Sequence, residues 1–370
     1  MKKKIVAVVG TRPEVIKMAP LILQMKKDPD IELTVLSLAQ HRELLDQMLE
    51  TFEIVPDIDL NVMKKNQTLP ELTAHLPVPL DHTLTKLNPD FVLAQGDTTS
   101  TLMTSLACAY RKIPFGHVEA GLRTYDFNHP FPEEMNRVLI TRLTALHFAP
   151  TKQSEVRLIK EGIPKQQIFV TGNPVIDALQ FILKKQHTLP LKIDSRRKLI
   201  LITLHRRESF GVLTEICGAI RQIADKFSSE VEFVLPVHPN PNVSKVVHDV
   251  LGNHPHIHLT HPLNYVNFIF LMKKAYLILS DSGGVQEEAP ALGVPVLVLR
   301  KLTERTEAVE QGFCRLIGLE PKEIIQQTEE IITHPEIRAQ MVSQESPYGD
   351  GRASERIIHH MKAYLLDVTT

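Results

Sequence analysis

Ser280-Asp-Ser-Gly-Gly-Val-Gln-Glu-Glu-Ala-Pro-Ala291 decides how this chain is read. An apolar run at 276–279 feeds straight into it, and residues 285–292 have helical character, so Ser282, Gly283 and Gly284 fall in a strand-to-helix turn. Such a turn is an anion site: glycine lets backbone approach a ligand, and free N–H groups at the positive end of the helix dipole favour phosphate. Glu287 and Glu288 are expected in the first helical turn, where carboxylates favour the dipole and where Glu288 is also placed to accept hydrogen bonds from a ribose. A turn of this kind after a buried strand belongs to an open α/β sheet, whose ligands bind at the carboxyl ends of the strands.

Working outward, the same rhythm recurs along the 370 residues. Apolar strands are expected at 5–9, 31–39, 91–95, 113–118, 146–150 and 168–171, and again at 199–204, 231–237, 276–279 and 295–299, with helices between them. Residues 61–80 carry Pro70, Pro77 and Pro79 and read as a connecting loop with an interrupted helix. The chain is long for one core, which predicts two doubly wound halves. The expected division is 1–172, 173–350, and a final helix over 351–370.

Composition excludes several classes. With 43% hydrophobic and 23% charged residues and a formal charge of −1, the chain lacks the basic footprint of nucleic-acid or anionic-membrane binding. Cys108, Cys217 and Cys314 are far apart, without a CxxC, which argues against a disulfide framework or structural zinc and for the cell interior. The apolar stretch after the N-terminal lysines is too short for a signal peptide, and no window has the length of a membrane span. There is no GxGxxG, so a redox dinucleotide is unsupported. His254, His256, His258 and His261 have no acidic or cysteine partner within their run and are read as loop histidines, not metal ligands.

Polar residues gather where the strands end. Gly10-Thr-Arg-Pro-Glu14 follows the first, putting Arg12 and Lys17 at a strand-loop-helix junction suited to ligand phosphate. Asp97 closes another strand, where helix capping is an equal reading. Glu119 closes a third, and Glu133 and Glu134 open the helix after Pro130-Phe-Pro132; Glu134 and Arg137 read as a helix-surface ion pair. Carboxylates in different environments supply an acid and a base. His205 stands at a strand's carboxyl end beside Arg206 and Arg207, cations that favour its neutral form, with a structural polar cap as the alternative reading.

Taken in order, Gly10-Thr-Arg-Pro-Glu14, Gln95-Gly-Asp-Thr98, His117-Val-Glu-Ala-Gly-Leu-Arg123, Pro130-Phe-Pro-Glu-Glu-Met-Asn-Arg137, His205-Arg-Arg-Glu208, Asp281-Ser-Gly-Gly-Val-Gln-Glu-Glu-Ala-Pro290, Thr303-Glu-Arg305 and Pro347-Tyr-Gly-Asp350 resemble the non-hydrolysing UDP-N-acetylglucosamine 2-epimerases. The resemblance implies a GT-B-like α/β fold with two Rossmann-type domains facing across a cleft, and a C-terminal helix crossing back to the first. It implies a cytoplasmic homodimer that interconverts UDP-GlcNAc and UDP-ManNAc without metal or NAD. By motif, Asp97, Glu119, Glu133 and His205 match catalytic positions. Arg12, Lys17, Ser282, Gly283, Gly284, Glu288 and Arg305 match nucleotide contacts, and Phe268 a uracil neighbour. Gln40, His41 and Arg42 are retained from an activating substrate site, but Asn66 replaces a basic residue of that site in some relatives. Ser209 replaces the usual asparagine after His-Arg-Arg-Glu, Leu263 replaces a polar residue near the uracil, and 125–129 is atypical. A UDP-diacetamido-uronic acid epimerase and a GT-B glycosyltransferase share much of this pattern, though a transferase does not require the three carboxylates.

Overall fold

In a computed structural model, which describes residues 2–38, 42–62, 67–204 and 206–367, the chain forms two compact units. The first comprises residues 1–181 and 348–370, the second 182–347. Residues 173–181 and 348–350, which the sequence grouped with the second half, therefore belong with the first.

The first unit is built on a seven-stranded sheet: β1 (Lys3–Val9), β2 (Ile31–Ser37), β3 (Ile58–Asp59), β4 (Phe91–Gln95), β5 (Phe115–Val118), β6 (Leu146–Ala149) and β7 (Ile168–Val170). Its order is β3-β2-β1-β4-β5-β6-β7 and every pairing is parallel. A parallel sheet covered by helices on both faces demands strands apolar on both sides, and Ile5 to Val9 are all buried. The order reverses direction between β1 and β4, which opens a crevice at their carboxyl ends.

The second unit repeats the plan with β8 (Lys198–Thr203), β9 (Val231–Pro236), β10 (Ile257–Thr260), β11 (Leu277–Ser280), β12 (Val296–Val298) and β13 (Cys314–Leu316), in the order β10-β9-β8-β11-β12-β13, all parallel. Here the reversal lies between β8 and β11. Ile200, Ile202, Phe233, Leu235, Leu279 and Leu297 form the centre of its core. Both units are thus Rossmann-type and doubly wound.

The final helix, Ala353–Asp367, belongs to the first unit. The Asp177 carboxylate accepts from the N–H groups of Ala353 (3.1 Å) and Ser354 (2.8 Å), capping it, and Lys362 pairs with Asp28 (3.0 Å) and Asp30 (2.7 Å).

Several elements depart from expectation. Residues 69–87 are two helices, Leu69–His75 and Pro77–Leu87, because the prolines occupy first-turn positions where a missing N–H costs nothing. Strand β10 replaces what looked like loop, and β13 adds an edge strand where no element was expected. The helix after β11 runs Gly283–Ala291, so Glu287 and Glu288 sit in its second turn, not its first.

Candidate active site

In the first unit, polar side chains converge where β1, β4 and β5 end. Glu119 leaves β5 with φ 68°, a left-handed conformation costly for a residue with a side chain, and is buried. The Lys17 ammonium and the Gln95 amide donate to it at short range, and the Asn173 amide donates to Oε1 at 2.9 Å. All three groups are donors, so they stabilise the ionised carboxylate. Lys17, expected at ligand phosphate, is itself buried and tied to Glu119.

Asp97 is the more accessible carboxylate, its side chain 26% exposed. Arg137 donates to its Oδ2 from Nε (2.9 Å) and lies 2.7 Å away at Nη2, while Oδ1 has no donor among the described residues. The same guanidinium reaches Glu134 Oε2 (2.9 Å), so the pair expected at the helix surface is buried and bridges to Asp97. Behind it, the His117 ring donates from Nε2 to the Gly96 carbonyl at 2.7 Å. Burial pushes that imidazole down to about 4, which keeps it neutral and able to hold the loop. Gly96 needs glycine's freedom there, with φ +84°. Glu133 is the half-buried first residue of the helix Glu133–Leu143, and Arg12 the half-buried first residue of Arg12–Met25.

In the second unit, the loops after β8 and β11 are joined by Asp281, which is fully buried. It accepts from the Arg206 N–H (2.9 Å) and the Ser209 hydroxyl (3.3 Å), so the serine found in place of asparagine is a working partner. His205 lies outside the described residues, as do Gln40, His41 and Asn66; so does the side chain of Arg42.

Arg305 lies across Gly283: a β-carbon there would come 2.8 Å from its Cζ and 2.9 Å from Nη1, so only glycine leaves the guanidinium in place. Arg305 pairs with Glu287 at 2.8 Å and closely with Glu304. Burial acts to raise the Glu304 carboxyl, but the cations Arg305 and Arg300 outweigh it and hold it at about 2. Glu287 is therefore an ion-pair member rather than a solvated first-turn acid. Gly284 is different, since nothing would lie within 3.9 Å of an added β-carbon. Tyr265 donates to Glu288 Oε1 at 2.7 Å, and Phe268 follows half-buried on the same helix, Tyr265–Lys274. Ser282 caps the Gly283–Ala291 helix by position, its carbonyl accepting from Gln286 at 3.1 Å.

The histidines of 254–261 do find acidic partners, from other elements: His254 meets Asp225 at 3.1 Å and His258 meets Glu232 at 2.7 Å. No group of three or more metal-ligating side chains occurs among the described residues. Sequence reading assigned no role to Glu14, Gln95, His117, Asn173, Tyr265 or Asp281. Each is buried; Gln95, His117, Asn173 and Asp281 lie within or just after a strand, which is the signal that could have found them, whereas Glu14 and Tyr265 lie in the first turn of a helix.

Residues 23–362 match the family described as UDP-N-acetylglucosamine 2-epimerase. A UDP-N-acetylglucosamine 2-epimerase of Salmonella typhimurium (strain LT2) is 48% identical over 373 residues, covering 98% of this chain and 99% of its own. This chain belongs to the UDP-N-acetylglucosamine 2-epimerase family. The crystal structure of the epimerase from Neisseria meningitidis bound to UDP-GlcNAc superposes with a TM-score of 0.91 at 47% identity, covering 97% of this chain and 100% of that one. S. aureus MnaA, in its co-structure with UDP, gives 0.92 at 45% identity, covering 100% and 98%. The epimerase fold therefore extends through both units, with the two strand-end clusters inside it. Among the described residues no helix is long and apolar enough to cross a membrane.

Proposed function

We propose that the chain interconverts UDP-GlcNAc and UDP-ManNAc by eliminating and re-adding UDP. The observation that carries this reading is full-length likeness, in sequence and in fold, to an epimerase solved with UDP-GlcNAc bound. The C2 proton of the sugar is not acidic by itself, so its removal is tied to departure of the leaving group. A base takes the proton, the C2–H pair becomes the C1=C2 bond, and the C1–O pair leaves with UDP, giving 2-acetamidoglucal. A UDP oxygen then re-attacks C1 while a proton reaches the opposite face of C2, which inverts that centre.

The geometry supports different roles for the carboxylates. Asp97, fixed through Oδ2 with no donor to Oδ1 among the described residues, suits proton transfer, and Glu133 matches a further acid/base position by motif. Glu119, held by three donors, suits a fixed anion that keeps Lys17 and Asn173 in place; it transfers a proton only if those bonds rearrange. In the second unit the Gly283–Gly284 turn, Ser282 and Arg305 would stabilise charge developing on the diphosphate, and Arg12, by its motif, is a further nucleotide contact. Glu288 would hold the ribose and Phe268 the uracil, with His205 on the diphosphate side. We also infer a cytoplasmic homodimer. Supporting the location are three buried, unpaired thiols and a balanced charge.

Bridging-oxygen exchange tests the reaction: with 18O between C1 and the β-phosphorus, label must scramble into non-bridging β-phosphate positions as UDP-ManNAc accumulates. Epimerisation without scrambling would contradict elimination.

A further inference from the structure

We propose that Glu14 is a positioning residue for the epimerisation, a buried clasp that fastens the loop after β1 to the loop after β4. This rests on the function proposed above. Glu14 is 3% exposed. Its Oε2 accepts from the N–H groups of Gly10 (2.5 Å) and Thr11 (3.1 Å), and its Oε1 accepts from the Thr98 hydroxyl (2.7 Å).

The first two bonds are ordinary for a helix start, where a glutamate three residues in reaches back to otherwise unpartnered N–H groups. The third is not local. Thr98 is 84 residues away, follows Asp97 directly, and caps the next helix by accepting from the Thr101 N–H at 3.2 Å. One carboxylate thus fixes the backbone on either side of the crevice between β1 and β4: Arg12 follows one anchor and Asp97 precedes the other. The approach is close on all sides, because a β-carbon on Gly10 would lie 3.3 Å from Glu14 Oε2 and 3.2 Å from Ser100 Oγ.

An ionised carboxylate accepts all three bonds with lone pairs to spare; an amide must turn its NH2 towards one of the three, and a protonated acid is a weaker acceptor carrying a proton that needs a partner of its own. Among the described residues the groups facing Glu14 are the Gly10 and Thr11 backbone and the Thr11 and Thr98 side chains, with no charged side chain paired to it. Burial raises its carboxyl to about 7, the Thr98, Gly10 and Thr11 bonds pulling the other way, so the clasp changes proton state in the neutral range.

The test uses the full chain, comparing wild type with Glu14→Gln, Thr98→Val and Thr98→Ser in UDP-GlcNAc turnover from pH 6 to 9. Displacing a reacting group by a fraction of an ångström costs about tenfold or more. Glu14→Gln and Thr98→Val are therefore expected to lose about tenfold in kcat with KM changed less than threefold, while Thr98→Ser, which keeps the hydroxyl, retains the wild-type rate. The wild-type kcat/KM profile is expected to bend near pH 7, and Glu14→Gln to lose that bend. Both variants within twofold of wild type, with unchanged profiles, would overturn the proposal. If wild type itself is inert on UDP-GlcNAc, the functional reading fails and the clasp is judged by amide hydrogen exchange. Faster exchange at Gly10 and Thr11 in Thr98→Val upholds it, and unchanged exchange overturns it.

Discussion

His147→Leu should make the first unit less sensitive to acid. His147 is fully buried on β6, in register with His117 of β5, and neither of its ring nitrogens has a partner among the described residues. Burial, reinforced by His117, Arg123 and Arg142, pushes its pKa from 6.5 down to about 3. Between those values the unfolded chain binds the proton and the folded chain does not, so stability is full above pH 6.5 and is lost as pH falls. At pH 5 the window crossed is about 1.5 units, or about 2 kcal/mol from this one ring. His117, pushed down to about 4, adds a loss of the same sign that leucine at 147 leaves untouched. The difference between wild type and variant therefore isolates His147. Urea unfolding read by pulsed hydrogen exchange of β5 and β6 peptides, at pH 7.5 and 5, reports this unit separately. The variant should lose about 2 kcal/mol less than wild type between the two pH values, with little cost at pH 7.5 because two unpaired nitrogens disappear. Equal acid sensitivity would refute the reasoning.

Glu14 carries the opposite sign. Its folded pKa of about 7 lies above the ordinary 4.5, so stability is lost as pH rises through that window, by about 3 kcal/mol, and Glu14→Gln should flatten that dependence in pH-resolved denaturation. Gly283→Ala should push Arg305 off Glu287 and Glu304, destabilising the second unit by about 1–3 kcal/mol and weakening UDP binding in calorimetry. Gly284→Ala, whose β-carbon meets the chain only at ordinary contact distance (3.9 Å from Glu288 Oε2 and Ser282 Oγ), should weaken UDP without lowering the melting temperature; a fall in melting temperature alone would exclude Gly284 from the ligand. Lys17→Met should strand the Glu119 carboxylate and cost about 3–5 kcal/mol, less what Gln95 and Asn173 retain, and adding Glu119→Gln should recover part of it.

Much of the fold is legible because a buried parallel strand must be apolar on both faces. Residues 5–9, 91–95 and 277–280 announce themselves and end in glycine or polar residues. The edge strands do not: Cys314–Leu316 is three residues long, and Ile257–Thr260 is obscured by histidines that pair with carboxylates from elsewhere. Residues 69–87 were hidden because proline reads as a breaker when its position in the first turn is unknown. The site was legible as a set of strand ends carrying Arg12, Asp97 and Glu119. It was not legible as a network, since Lys17, Gln95 and Asn173 meet Glu119 only through the sheet, and no spacing announces that Arg305 lies on Gly283.

Proton NMR of the purified chain with UDP-GlcNAc in deuterated buffer tests the central claim most directly. The account predicts UDP-ManNAc appearing with deuterium at C2 of both epimers. Formation of UDP-ManNAc with the C2 proton retained, or release of free ManNAc, would contradict it.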